Sequence, residues 1–261
     1  MHRTLVGRLL LAFCAGWPLL ASAEPASVMR LASLEWIPYV GAHLHHEGWS
    51  GSVVHAAAQR AGYLGRIDYF PWNRAMQLGM KDAAYAGYFP AYYTEERARK
   101  CHFSAPIGTS TIGLAYLKGA PLEWNKLSDL NALKIGVVAG FSNGPEFDAM
   151  ADTGQLNVDA SPNDMLNLRK LLAHRVDAVV IDALVMRYLA ATEPGIAAKR
   201  EQLAFHAKPL AALSLHVCFQ RTEQGRKMQL AFDAALRTLP LRKMEEQYFQ
   251  RLQQKNPSAS P

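Results

Sequence analysis

Apolar and polar positions along residues 24–254 follow one grammar twice. An apolar run at 28–34 leads through a polar loop to a helical stretch at 50–63. A short strand at 67–70, a helix at 72–80 and a strand at 83–88 complete the first copy. The second opens on KIGVVA at 134–139, passes a Gly-rich turn, and continues with a helix from 145 and a strand at 156–158. Ser161 followed by Pro162 reads as an N-cap with proline at the first helical position, so another helix is expected there. DAVVID at 177–182 closes the copy with the continuous apolar centre of a strand covered on both faces.

Strands alternating with helices imply right-handed βαβ units and parallel sheets. Segments 109–116 and 211–220 read as extended, and two helices follow at 223–238 and 241–253. The expected architecture is α/β, with two parallel-sheet lobes joined by a two-strand hinge. Residues 24–109 and 213–254 form the first lobe, 110–212 the second, and 255–261 a flexible tail. Ligands of such sheets bind beyond the carboxyl ends of strands. Residues following strands are therefore the candidates: Glu35, Trp36, Tyr39, Trp72, Tyr92, Arg97, Ser142 and Asp182.

Residues 1–23 stand outside this pattern. Arg3 and Arg8 precede an apolar run too short to span a bilayer, and Ala21-Ser22-Ala23 supplies small residues before Glu24. This predicts a cleavable secretory signal, hence a periplasmic protein. Losing Arg3 and Arg8 lowers the formal charge of +6 by two. The remaining basic residues are scattered, with no stripe interleaved with stacking aromatics, so no nucleic-acid partner is expected. Cys101 and Cys218 remain after cleavage. In an oxidising compartment they either pair or stay as two buried thiols. No CxxC is present, and no cofactor or metal is expected.

The chain resembles the bacterial periplasmic solute-binding proteins of family 3, the polar amino-acid class. The resemblance is carried by LEWIPY at 34–39, PWNRA at 71–75, YTEER at 93–97 and FSAPI at 103–107. VVAGFSNG at 137–144 and DAVVID at 177–182 carry it through the second half. It implies a monomer that captures a small polar ligand by hinge closure and delivers it to an inner-membrane ABC permease. It also implies that Arg97 grips a ligand carboxylate, Asp182 takes an ammonium, and Trp72 covers one ligand face. Where close amino-acid binders carry serines before Thr94, this chain has Phe89, Pro90, Tyr92 and Tyr93, which reduces hydrogen bonding on the carboxylate side.

Physical chemistry agrees with those roles: a guanidinium fork matches a carboxylate, and an ionised aspartate only accepts. Each residue also has a plainer reading. Arg97 could pair with Glu95 or Glu96, Asp182 could cap the following helix, and the aromatics could be core. Gly140-Phe141-Ser142-Asn143-Gly144 matches a G-x-S-x-G nucleophile elbow, with Asp182 and His206 or His216 following in hydrolase order. The turn equally suits presenting N–H groups and a hydroxyl to an anion. His43, His45, His46 and Glu47 lack the regular spacing of a metal site and read as a solvated loop. The enzyme alternative is a periplasmic lyase resembling cyclohexadienyl dehydratase, with Glu35 as its general acid.

Overall fold

The computed structural model describes residues 27–255, so the expected signal segment and the tail beyond 255 lie outside the described residues. The first unit runs β1 (Ser27–Ser33), α1 (Gly48–Arg60), β2 (Tyr63–Tyr69), α2 (Trp72–Lys81) and β3 (Gly87–Tyr92). α3 (Glu95–Lys100) and β4 (Cys101–Phe103) lead into the long strand β5 (Gly108–Leu117). The second unit runs β6 (Lys134–Val138), α4 (Pro145–Asp152), β7 (Asn157–Ser161), α5 (Asp164–Leu172) and β8 (Ala178–Asp182). α6 (Ala183–Thr192), α7 (Pro194–Ala197) and β9 (Leu203–Phe205) precede a second long strand, β10 (Ala211–Gln220). α8 (Glu223–Leu236) and α9 (Leu241–Lys255) end the described chain.

Hydrogen bonding orders the strands β2-β1-β3-β10-β5-β8-β6-β7, with β4 beside β10 and β9 beside β5. β1 lies parallel to β2 and β3, and β6 lies parallel to β7 and β8. Each triple therefore has its first strand in the middle, and the connections diverge at that strand's carboxyl end. β10 and β5 are antiparallel to each other, to β3 and to β8, and stitch the two parallel sheets together. This is the two-lobed architecture that the alternation predicts, and the expected lobe boundaries fall inside these two strands. The crevices of both triples open toward one cleft.

Five expectations need correction. The strand expected at 83–88 is β3, Gly87–Tyr92, because Asp82 captures the preceding chain in a turn. Its carboxylate accepts from Ala84 N at 2.9 Å and its carbonyl from Tyr85 N at 3.0 Å. Phe89, Pro90 and Tyr92 are thus strand residues, buried along with the rest of β3. The N-cap read at Ser161 is Asn163, whose side chain accepts from Leu166 N at 3.0 Å, while Ser161 ends β7. β2 and β7 also extend beyond the short runs expected of them, and α1 stops at Arg60 rather than 63.

Of the two readings of the cysteines, the structure has the pair. Cys101 on β4 and Cys218 on β10 form a disulfide with Cα atoms 5.6 Å apart. Among the described residues no helix is long and apolar enough to cross a membrane.

Candidate functional site

The loop after β1 turns back on itself at once. Trp36 N donates to Val40 O at 2.8 Å, and Tyr39 N and Val40 N both donate to Trp36 O. The turn stacks the Trp36 and Tyr39 rings, centroids 4.4 Å apart and 18° from parallel, and aims both at the second lobe. Glu35 points the other way. It is exposed, and its carboxylate accepts from Ala42 N at 3.1 Å, closing the loop instead of facing the cleft.

Tyr39 ends on Asp182. This aspartate is 3% exposed and fully occupied. Oδ1 caps α6 by accepting from Leu184 N at 2.8 Å and Val185 N at 3.0 Å. Oδ2 accepts from Tyr39 at 3.0 Å and from the Ser110 hydroxyl at 2.6 Å. A carboxylate has about four acceptor positions, so none is left over. Ser110 on β5 has one proton and gives it to Asp182, so the Tyr92 hydroxyl, 2.7 Å away, must donate to Ser110. Burial raises the Asp182 carboxyl above its ordinary range, against the pull of these four donors. Burial, then the nearby Asp182, pushes the Tyr39 and Tyr92 phenols well up.

Asp164, the first residue of α5, is the second buried acid here, at 6% exposed. Burial first and then the charge of Asp182 raise its pKa to about 7, against the downward pull of the Trp36 side chain beside it. The two stacked aromatics of the first lobe thus each stand beside an aspartate of the second, Tyr39 through a hydrogen bond.

A third cross-lobe contact centres on one carbonyl. Gly140 O, in the turn after β6, accepts from Trp72 Nε1 at 3.0 Å and from Arg97 Nη2 at 2.9 Å. Gly140 has φ of 81°, and a Cβ there would stand 2.1 Å from the Asn73 side-chain oxygen, so only glycine fits. Arg97 is fixed by Tyr92 O at 3.0 Å and lies over the Trp72 ring, 5.9 Å from its centroid. Its backbone N donates to Thr94, the N-cap of α3. Neither Glu95 nor Glu96 pairs with it: Glu95 accepts from Tyr93 and Glu96 from Lys100. Beside Gly140, the Phe141 ring meets Trp36 and Trp72 edge to face, at 6.2 Å and 5.8 Å.

Leu34, Trp36, Trp72, Pro90, Tyr92, Arg97 and Phe141 line a tight aromatic slot whose free volume is only about 10 Å³. Outside it lies a wider mouth between residues 93–97 and the turn at 137–148. The structure therefore brings Trp36, Trp72, Tyr92 and Arg97 together in the slot, and sets Tyr39 and Asp182 directly behind it. Ser142 is in the mouth and donates to Asp148 at 2.5 Å. His206 bonds Lys208, and His216 bonds Ser104 O and Ser214, so Ser142 pairs with neither histidine. Among the described residues no three His, Cys, Asp or Glu side chains gather as a metal site, and Glu47 serves His55 and Tyr69. Sequence reasoning marked the turn at 140–144 without singling out Phe141, and missed Asp164 and Ser110.

No family model and no curated protein matches the chain. Solved structures do, and they place it in the fold class of the periplasmic binding proteins. An ancestral arginine-binding protein bound to arginine superposes with a TM-score of 0.71 and 17% identity, over 85% of this chain and 98% of that one. A histidine kinase sensor domain with similarity to periplasmic binding proteins gives 0.72 and 16%, over 85% and 95%. The substrate-binding protein of an amino acid ABC transporter gives 0.67 and 13%, over 86% and 100%. At these identities the likeness is one of fold.

Proposed function

We propose that this chain is an extracytoplasmic solute-binding protein. It captures a small ligand, an amino acid or a related compound, by closing two lobes over it, and delivers it to an ABC importer. Residues 1–23 direct export and are removed. The observation that carries this reading is the set of cross-lobe contacts around the slot. Tyr39, Trp72 and Arg97 come from one lobe and end on Asp182 and Gly140 of the other, and Trp36 lies beside Asp164. A ligand seated there touches both lobes and so favours the closed form. The fold likeness to amino-acid-binding proteins supports the ligand class, and the likeness to a transporter's binding protein supports the delivery step.

Arg97 supplies the positive charge for a ligand anion, while Trp36, Trp72 and Tyr92 supply the walls. The site works as a receptor, not as a lyase, because neither Glu35 nor Asp164 lines the slot. The test is small-angle scattering with and without arginine, glutamate, phenylalanine and their deaminated analogues at saturating concentration. A binding protein of this kind loses radius with at least one of them. A ligand confirmed by calorimetry that leaves the radius unchanged refutes closure.

A further inference from the structure

The slot already contains a piece of the protein that shows what it recognises. The Gly140 carbonyl oxygen receives the Trp72 indole N–H and one arm of Arg97, at 3.0 and 2.9 Å. The Phe141 ring sets its edge against Trp36 and Trp72, with interplanar angles of 89° and 84°. A single dipeptide thus presents an oxygen acceptor to a guanidinium and a phenyl ring to two indoles. The peptide nitrogen, Cα and Cβ separate that carbonyl carbon from the ring. A free molecule with the same parts is an arylalkanoate: an aromatic ring, a short chain and a carboxylate. Its charge makes it the stronger partner for Arg97, because charge-assisted hydrogen bonds exceed those to a neutral carbonyl.

The slot lining offers such a molecule's anion a partner and an ammonium none, the acids Glu95, Glu96, Asp148 and Asp152 standing in the mouth outside it. Asp182, the acid at the end of β8, has all four acceptor positions filled by Tyr39, Ser110, Leu184 and Val185. Asp164 lies beside Trp36 and stands outside the slot lining. Glu35 is exposed and bonded to Ala42 N. Placing an ammonium here breaks one of those bonds or leaves a buried cation unpaired, and both cost free energy.

We infer that the ligand of this slot is an arylalkanoate without an α-ammonium, bound where Gly140 O and the Phe141 ring now meet Arg97, Trp36 and Trp72. The inference rests on the binding-protein reading and narrows its ligand. On entry the carboxylate takes the Arg97 donors from the Gly140 carbonyl, and the aromatic ring displaces Phe141 from between the indoles. Phe141 is therefore an internal competitor.

The experiment is calorimetry of the mature chain with 3-phenylpropanoate and 4-phenylbutanoate, against L-phenylalanine and L-arginine, with scattering in parallel. The expected result is at least about tenfold tighter binding of an arylalkanoate than of either amino acid. Phe141→Ala is expected to tighten that binding about threefold or more, and Arg97→Ala to weaken it at least about thirtyfold. Circular dichroism confirms that both variants are folded. An amino acid binding as tightly as the arylalkanoates, with compaction, overturns this inference and leaves the binding-protein reading standing. Arylalkanoate binding that weakens in Phe141→Ala overturns the displacement. If no compound binds or compacts the protein, both fall.

Discussion

The indole N–H of Trp72 donates to the carbonyl of Gly140 at 3.0 Å, so the first residue of α2 in one lobe grips the strand-end turn of the other. Arg97 shares that oxygen, and Asn73 presses against the glycine from the same helix. The contact needs a backbone without a Cβ. Gly140→Ala is expected to disfavour closure by about 1–3 kcal/mol, from the positive φ and the Asn73 clash together. Ligand affinity then falls by about five- to a hundredfold while the melting temperature moves little. Calorimetry beside a thermal melt separates the two effects.

Trp72→Phe keeps a ring against Phe141 and removes only the donor. One neutral hydrogen bond contributes about 0.5–1.5 kcal/mol, so affinity drops by about two- to tenfold. A loss beyond about a hundredfold would mean that Trp72 does more for the ligand than one donor and a ring face.

Arg97 is a stronger test because its bonds to a ligand anion are charge-assisted. Arg97→Ala is expected to cost about 2–4 kcal/mol of binding for the tightest ligand in the panel. Arg97→Lys restores part of this, since a point charge does not reproduce the planar fork. An alanine variant binding within about threefold of the parent removes Arg97 from the site.

Asp164 predicts a pH dependence. Its carboxyl is raised from 3.8 to about 7, first by burial and then by the charge of Asp182 in the same lobe; if closure of Trp36 over it completes that burial, the raised value belongs to the closed form. A group whose pKa is higher in the closed form binds a proton on closure. The protonated acid favours closure fully below about 4, and the advantage is lost as pH rises to about 7, where affinity levels off. Binding at pH 5 is therefore expected to be about ten- to a hundredfold tighter than at pH 8, with net proton uptake in calorimetry across buffers of different ionisation enthalpy. Asp164→Asn should flatten the profile. An affinity that rises with pH over this range contradicts the assignment.

The disulfide closes a loop of 117 residues. Loop-closure entropy alone then corresponds to about 4–5 kcal/mol of stability. Reduction, or a paired Cys101→Ala and Cys218→Ala substitution, should lower the melting temperature by roughly 5–15 °C. Because both cysteines lie on strands away from the slot, ligand affinity at low temperature should stay within about twofold.

Much of the fold was legible because it is written in periodicity. The apolar centre of β8 and the extended run of β10 read directly as strands. β3 was misplaced because Ala83, Ala84 and Tyr85 are as apolar as the strand that follows, while the deciding event is the hydrogen bonding of Asp82. Around α5, Ser161, Asn163 and Asp164 are all cap-type residues, and only the geometry selects Asn163 and frees Asp164 to meet Trp36. Trp36, Trp72, Tyr92 and Arg97 were found from their places at strand ends. Phe141 lies in a strand-end turn that the same rule marked, but its ring was not singled out, because an aromatic in a glycine-rich turn belongs to no periodic face, and its partners lie far away in sequence and in the other lobe.

The seat of β10 between β3 and β5 has a consequence for how the molecule is made. Residues 134–182 contain β6, β7, β8 and the helices between them, a contiguous stretch whose strand pairings close over short distances. The outer sheet has no such independence: its third strand pairs with residues 215–219, and Cys101 waits for Cys218. A chain emerging N-terminus first therefore completes its middle before its beginning. The edge of β3, apolar and unpaired until the C-terminal segment arrives, is the surface most in need of protection while the chain folds.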